Sequence, residues 1–178
     1  MHINCFWVSG RLKDRGYGDE LLEACVRDSR EKGRFGICVI SASQKSPFLS
    51  EPKYLAYKGF MVADTAEPYF TLLYLPFVKG APAPKFKRQA KRPRVDESGF
   101  VRYDSPGCPF TAKYVPLIEA AARDAGLPFQ SVRIDSREKA QAAPAAWTNY
   151  ALFYNGRYVT NEILSEKKFL KLAGDLRG

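Results

Sequence analysis

The chain has 178 residues, which is enough for one large domain or two small ones. Hydrophobic residues make up 46% of it, so a core can form without disulfide support. Lysine and arginine number 28 against 19 acidic residues, and the net charge of +9 favours anionic partners such as phosphorylated cofactors, nucleic acid or a membrane surface. Solubility alone explains the same surplus of positive charge equally well.

Cysteine and histidine usage argues against two classes of site. The four cysteines form no CxxC pair and His2 is the single histidine, so we predict neither a disulfide framework nor a His/Cys metal site. Cys5, Cys25 and Cys38 lie in apolar segments and are predicted to be small core residues. We expect a cytoplasmic protein, because no apolar run reaches the roughly 18 residues of a membrane span and no signal-peptide pattern occurs.

The stretch that bears most directly on function begins at Lys13. An apolar run over Ile3–Val8 predicts a buried strand, the sequence KDRGYG follows at residues 13–18, and apolar residues at helical spacing predict a helix from Tyr17 to about Lys32. Glycines let backbone N–H groups approach a ligand closely, and the start of a helix favours an anion. The strand, basic loop and helix therefore predict a pyrophosphate site.

The next elements complete a first α/β unit. Residues 35–41 predict a second strand, parallel to the first through a right-handed crossover. Residues 51–58 predict a short helix, with a proline in its first turn. Residues 60–64 and 69–77 predict two strands that pair antiparallel through a short connection.

The composition changes in residues 78–98. Prolines recur there, and seven basic residues precede the first acid, Asp96. Proline and like charge predict a stiff linker between domains. Binding of nucleic acid is the alternative, but Phe86 is the one aromatic residue among these bases, so we favour a solvated linker.

Residues 99–178 predict a second unit with the element order β-α-β-α-β-β-α. A helix is predicted to start near Cys108. Asn155-Gly156 is the strongest turn signal in the chain and predicts a hairpin between residues 149–154 and 157–160. The alternation of strands and helices makes the chain an α/β protein.

Two motifs and the order of elements over residues 1–77 resemble the second half of the GNAT N-acetyltransferase superfamily. That family's loop reads Gln/Arg-x-x-Gly-x-Gly/Ala, and here Lys13–Gly18 matches it with lysine in the first place. The second motif is Lys58-Gly59-Phe60, at the end of the short helix. The resemblance implies that the protein binds acetyl-CoA and transfers its acetyl group to an amine, on either a small molecule or a peptide.

The resemblance also implies roles for individual residues. The amides of Arg15–Gly18 would hold the CoA pyrophosphate, while the strand around Phe6–Val8 would hydrogen-bond the pantetheine arm and polarise the thioester carbonyl. The family's helix tyrosine, which protonates the leaving thiolate, falls at Leu55 here, so Tyr54 and Tyr57 are the candidate acids, with packing on the last strands as the alternative. The candidate cofactor-binding residues are Phe6, Trp7, Val8, Lys13, Asp14, Arg15, Gly16, Tyr17 and Gly18.

The resemblance covers the cofactor-binding half of that fold, because the elements that supply much of the acceptor site would precede Ile3. We expect one of three explanations: further sequence upstream, a partner that supplies the rest, or a chain that does not catalyse. The edge of the predicted strand at residues 3–8 would need covering, and a homodimer is one way to cover it.

The second unit resembles the thioredoxin/glutaredoxin fold. The resemblance rests on the element order, on Cys108-Pro109-Phe110-Thr111 at a helix start, and on Phe153-Tyr154-Asn155-Gly156 before the hairpin turn. Thr111 stands in place of the second cysteine of the family's CxxC motif, which excludes a two-cysteine exchange within it. We predict a lowered pKa for Cys108, suited to monothiol exchange, sensing or metal–thiolate binding, with a purely structural role as the alternative.

Taken as a whole, the chain resembles the bacterial YoaP-like acetyltransferases, which join a GNAT domain to a small YoaP-type domain. The sequence therefore predicts a partial GNAT fold at residues 1–77, a linker at 78–98 and a thioredoxin-like domain at 99–178. The predicted function is acetyl-CoA-dependent N-acetylation. The alternatives are a redox or sensing protein that uses Cys108 and a nucleic-acid-binding module that uses the basic linker.

Overall fold

The computed structural model describes residues 1–43 and 46–178. These residues divide into two compact units, Met1–Phe86 and Lys87–Gly178. Each unit holds a four-stranded mixed sheet together with helices, so the α/β class predicted from the sequence is confirmed. The boundary between the units falls inside residues 78–98, the segment predicted as a linker.

The first unit alternates strands and helices before it ends in an antiparallel pair. Its sheet has the order β1-β2-β4-β3, in which β1 runs parallel to β2, and β4 is antiparallel to both β2 and β3. A short 3-10 turn at Gly10–Leu12 precedes the glycine loop. The elements are β1 (His2–Ile3), α1 (Tyr17–Glu31), β2 (Gly36–Ala42), α2 (Pro52–Tyr57), β3 (Met61–Ala66) and β4 (Phe70–Pro76).

One hydrophobic cluster joins both helices of this unit to its sheet. Leu22 on α1 and Leu55 on α2 are buried against the central strands, as helical spacing of apolar residues predicts. Phe6 and Tyr54 pack at the edge of the same cluster. The buried members are Leu22, Ile37, Val39, Leu55, Phe60 and Leu73.

The first strand is shorter than predicted. We expected a buried strand over Ile3–Val8, but β1 ends at Ile3. The following residues lie outside the sheet, and Cys5, predicted to be in the core, is exposed. Trp7 is also exposed, at 63%. Among the described strands, β1 lies at the edge of the sheet and pairs with β2 alone, so an apolar run by itself does not extend the pairing.

From Phe100 to its end, the second unit has the predicted order β-α-β-α-β-β-α. Its sheet runs β6-β5-β7-β8, with β5 parallel to β6 and antiparallel to β7. Asn155-Gly156 connects the two hairpin strands β7 and β8, as predicted, and both residues have positive φ. The elements are β5 (Phe100–Asp104), α4 (Pro109–Asp124), β6 (Phe129–Arg133), α5 (Arg137–Ala142), β7 (Tyr150–Tyr154), β8 (Arg157–Thr160) and α6 (Glu166–Arg177).

Part of the predicted linker is folded. A short helix, α3, spans Arg88–Lys91 within the second unit, and Ala90 in it is buried. Val95 donates its backbone N–H to the carbonyl of Gly156 in the hairpin turn. The basic run therefore belongs in part to the second unit, because apolar residues interspersed among its charges find partners there.

The second unit also buries a charged group. Arg102 on β5 is paired with Asp104 on the same strand and, at 3.0 Å, with Glu119 on α4. The side chains of Arg102 and Asp104 are 3% and 8% exposed, whereas Glu119 is 42% exposed. The arginine charge is thus held inside the unit by one buried and one partly exposed carboxylate.

Candidate functional site

The glycine loop of the first unit ends in a helix start that no side chain of the described residues caps. Gly16 is the N-cap of α1 with φ of 83°, a conformation that favours glycine. Its carbonyl accepts the N–H groups of Asp19 and Glu20, at 2.9 and 3.2 Å. The N–H groups of Tyr17 and Gly18, the first two residues of the helix, have no intrahelical acceptor. This part of the chain can therefore offer hydrogen-bond donors to an anion.

The surroundings of Gly16 leave room for a ligand. Among residues 1–43 and 46–178, no atom outside the immediate chain neighbours would lie within 4 Å of a Cβ atom built on Gly16. Lys13 and Arg15, on the same loop, are exposed and add positive charge. The donor groups, the open space and the cations together fit a pyrophosphate.

Helix α2 packs beside the end of this loop and the start of α1. The ring of Tyr54 stacks on that of Phe6, with centroids 5.9 Å apart and planes inclined by 21°. A Cβ atom built on Gly18 would lie 3.8 Å from the Tyr54 hydroxyl and 4.0 Å from the Phe6 ring. Phe6, Gly18 and Tyr54 belong to three separate segments and were predicted from the sequence to share one site. The structure brings the three residues together.

A charged network lies at the same place. The Tyr54 hydroxyl donates to Asp19 Oδ1 at 2.7 Å, and Lys58 Nζ lies 2.8 Å from Asp19 Oδ2. The hydrogen bonds from Lys58 and from Tyr54 lower the pKa of Asp19. Partial burial is the main cause that raises the pKa of Tyr54, and the hydrogen bond to Asp19 raises it further. The hydrogen bond to Asp19 also raises the pKa of Lys58. At neutral pH the network therefore holds a neutral phenol, a carboxylate and an ammonium group.

The remaining predicted site residues of this unit are more exposed. The side chain of Trp7 is exposed, whereas Val8 is partly buried. Tyr57, the other candidate acid, is 83% exposed and has Lys58 Nζ 5.4 Å from its ring centroid. Asp14 in the loop has a φ of 59°, which aspartate tolerates better than most residues.

Asp19 and Lys58 were not among the site residues predicted from the sequence. A signal for one of them was present, because Tyr54 and Lys58 are four residues apart and so share one face of a helix. Nothing in the sequence paired that face with Asp19, which is 35 residues away from Tyr54. Only the packing of α2 beside the start of α1 brings the three side chains together.

Cys108 lies in the second unit, at the N-cap of α4, the position that the sequence predicted. Its side chain is partly buried and packs against the cluster that includes Phe100 and Ile118. Thr111, which replaces the second cysteine of the CxxC motif, donates its hydroxyl to the Cys108 carbonyl at 2.6 Å. This threonine therefore closes the first turn of the helix.

An open cavity of about 380 Å³ lies elsewhere in the second unit, and Cys108 does not line it. Charged side chains of both signs surround it, among them Arg94, Glu97 and Lys139, together with Tyr103. Lys139 is paired with Asp135 at 2.8 Å. Burial, and to a smaller extent the charge of Glu97, raise the pKa of Tyr103.

The described residues also bear on two other classes of site. No group of three or more His, Cys, Asp and Glu side chains in this part of the chain is arranged to hold a metal ion. Over the same residues, no helix combines the length and the apolar character that crossing a membrane requires.

Comparison with known proteins places the chain in a family. The sequence model of the YoaP-like family matches residues 128–171. The chain is 39% identical over 176 residues to the "Uncharacterized N-acetyltransferase YoaP" of Bacillus subtilis (strain 168), an alignment that covers 99% of this chain and 70% of that protein. No solved structure matches the chain significantly. The extent and identity of the alignment show that the chain belongs to the YoaP-like family, as its sequence predicted.

Proposed function

We propose that this protein is an acetyl-CoA-dependent N-acetyltransferase that binds its co-substrate at the glycine loop and the start of α1. The relative from Bacillus subtilis carries the name of an N-acetyltransferase, which supports this class of reaction. The observation that carries the proposal is the N-terminus of α1, where Gly16 leaves backbone N–H groups uncapped beside a basic loop.

Each part of the site has a role in this proposal. Acetyl-CoA supplies an activated acetyl thioester, and the amides of residues 15–18 hold its pyrophosphate. Lys13 and Arg15 balance part of the phosphate charge. The backbone of Phe6–Val8 orients the pantetheine arm and the thioester carbonyl, and Tyr54 or Tyr57 is the candidate acid for the departing thiolate. The acceptor is an amine on a small molecule or a peptide.

Each of the two parts of the chain is assigned to a domain type in this proposal. Residues 1–77 correspond to the cofactor-binding half of a GNAT domain, and residues 99–178 to a thioredoxin-like domain. The strand order β6-β5-β7-β8, with its mixed parallel and antiparallel pairs, supports the second assignment. Location in the cytoplasm, covering of the β1 edge by a second copy and nucleic-acid binding through the basic linker stay predictions from the sequence.

Isothermal titration with acetyl-CoA tests the proposed function. We expect a dissociation constant well below about 1 mM, the affinity that corresponds to roughly −4 kcal/mol. Acetyl-pantetheine, which carries the same thioester without the pyrophosphate, serves as the matched ligand and should bind much more weakly. Absence of acetyl-CoA binding at millimolar concentration, by protein whose circular dichroism shows it folded, would refute the proposal for this chain.

A thiol function at Cys108 is the second candidate. It is favoured by the position of this cysteine at the N-cap of α4, a helix of 16 residues, because the N-terminus of a helix favours negative charge. The test is the rate of alkylation of the protein between pH 6 and 8, with Cys108→Ser as the control. A rate and pH dependence equal to those of an ordinary thiol would exclude this function.

A further inference from the structure

The start of α1 contains a charge that opposes the proposed ligand. Asp19 follows Gly18 directly and lies in the first turn of the helix. A carboxylate there stabilises the helix by interacting with its dipole, but it repels any other anion that binds at the same end. A site for pyrophosphate therefore needs some means to offset this charge.

Helix α2 supplies that means. Both carboxylate oxygens of Asp19 have a partner at this helix. Oδ1 accepts from the hydroxyl of Tyr54 on α2 at 2.7 Å, and Oδ2 lies 2.8 Å from the ammonium of Lys58, the C-cap residue of α2. The side chains of Lys58 and Asp19 are 24% and 47% exposed, so solvent screens this pair in part, though less than a fully exposed one. The ring of Tyr54 is itself held by its stacking on Phe6.

We propose that Lys58 and Tyr54 are positioning residues, which hold the Asp19 carboxylate against α2 and offset its charge so that the first turn of α1 accepts the pyrophosphate of acetyl-CoA. This inference rests on the proposed function, because it takes acetyl-CoA to be the ligand. It assigns Lys58 a role through Asp19 and no contact with the ligand. It also gives the Tyr54 hydroxyl a fixed acceptor, a role that proton transfer to a thiolate does not require.

The decisive test is a rescue experiment read out as the dissociation constant of acetyl-CoA. Lys58→Met leaves Asp19 charged without its ammonium partner, and we expect binding to weaken about two- to five-fold, the size of a charge effect at a helix end. Adding Asp19→Asn removes the charge that Lys58 offsets, so the double variant should bind as well as Asp19→Asn alone. Lys53→Met removes an exposed lysine from the same helix and is the matched control, for which we expect no change.

Tyr54→Phe tests the other half of the network. It keeps the ring that stacks on Phe6 but removes the hydrogen bond to Asp19, so we expect weaker binding of acetyl-CoA and an unchanged affinity for acetyl-pantetheine. A tyrosine that acts only as an acid would leave both dissociation constants unchanged.

The possible results separate this inference from the proposed function. If wild-type protein does not bind acetyl-CoA, the proposed function fails and this inference fails with it. If the wild type binds but Lys58→Met binds equally well, only the inference is overturned. It is overturned too if the double variant stays as weak as Lys58→Met, since Lys58 would then contact the ligand directly. Circular dichroism of each variant confirms that the fold is retained.

Discussion

Replacing Gly16 and Gly18 by alanine, one at a time, should change stability in opposite directions. Gly16 has a φ of 83°, and a residue with a Cβ atom in this left-handed region costs about 1–2 kcal/mol. No atom would clash with the new Cβ, so backbone strain is the whole cost. Gly18 lies inside α1, and its new Cβ would make ordinary contacts with Tyr54 and Phe6 at 3.8 and 4.0 Å.

The two effects add up to a measurable difference. Alanine is favoured over glycine within a helix by about 0.5–1 kcal/mol, so Gly18→Ala should stabilise the protein by up to that amount. The variants should then differ by about 1.5–3 kcal/mol when the cost at Gly16 is included. If the whole chain unfolds as one unit, about 2–4 °C per kcal/mol gives a separation of roughly 3–12 °C in melting temperature. If the first unit unfolds by itself, about 4–8 °C per kcal/mol gives roughly 6–24 °C.

Calorimetry shows two separate unfolding transitions if the two compact units unfold independently. Hydrogen exchange of the amides of α1 then shows which transition belongs to the first unit. Titration with acetyl-CoA completes the comparison. We expect Gly16→Ala to weaken binding, because only a fraction of the molecules would hold the loop in the conformation that binds. Equal stability of the two variants, or a larger loss in Gly18→Ala, would refute the reasoning from backbone conformation.

Two further substitutions test the packing of each unit. Gly36→Ala should destabilise the first unit by about 1–3 kcal/mol, because the new Cβ would lie 2.5 Å from the carbonyl oxygen of Leu75 and the strands would have to shift. Chemical denaturation measures this loss, and an unchanged midpoint would contradict the prediction. Asp104→Asn should destabilise the second unit by about 3–5 kcal/mol, since it leaves the buried charge of Arg102 poorly compensated. Glu119 is at the partly exposed end of the same network, so Glu119→Gln should destabilise the unit by about 1 kcal/mol or less. Similar losses in these last two variants would show that burial does not control the effect.

Local signals in the sequence predicted most of the elements. Helix α1 starts at Tyr17 as expected, because glycine at Gly16 and apolar residues at helical spacing act within a few residues of each other. The hairpin at Asn155-Gly156 was equally local, since both residues adopt the positive φ that this turn requires. The length of β1 was not predictable in this way, because pairing depends on a neighbouring strand as well as on apolar residues.

For the candidate site, the sequence by itself determined the loop, its charge and its place at the start of a helix. These properties follow from residue types within one segment, Lys13–Gly18. The YoaP-like family, which the comparisons confirmed, was predicted from motifs in both halves of the chain. Only the tertiary structure decided that Tyr54 and Lys58 meet Asp19 beside that loop. The physical reason is that α2 is separated from the loop by a complete strand, so the contact depends on how the helices pack on the sheet.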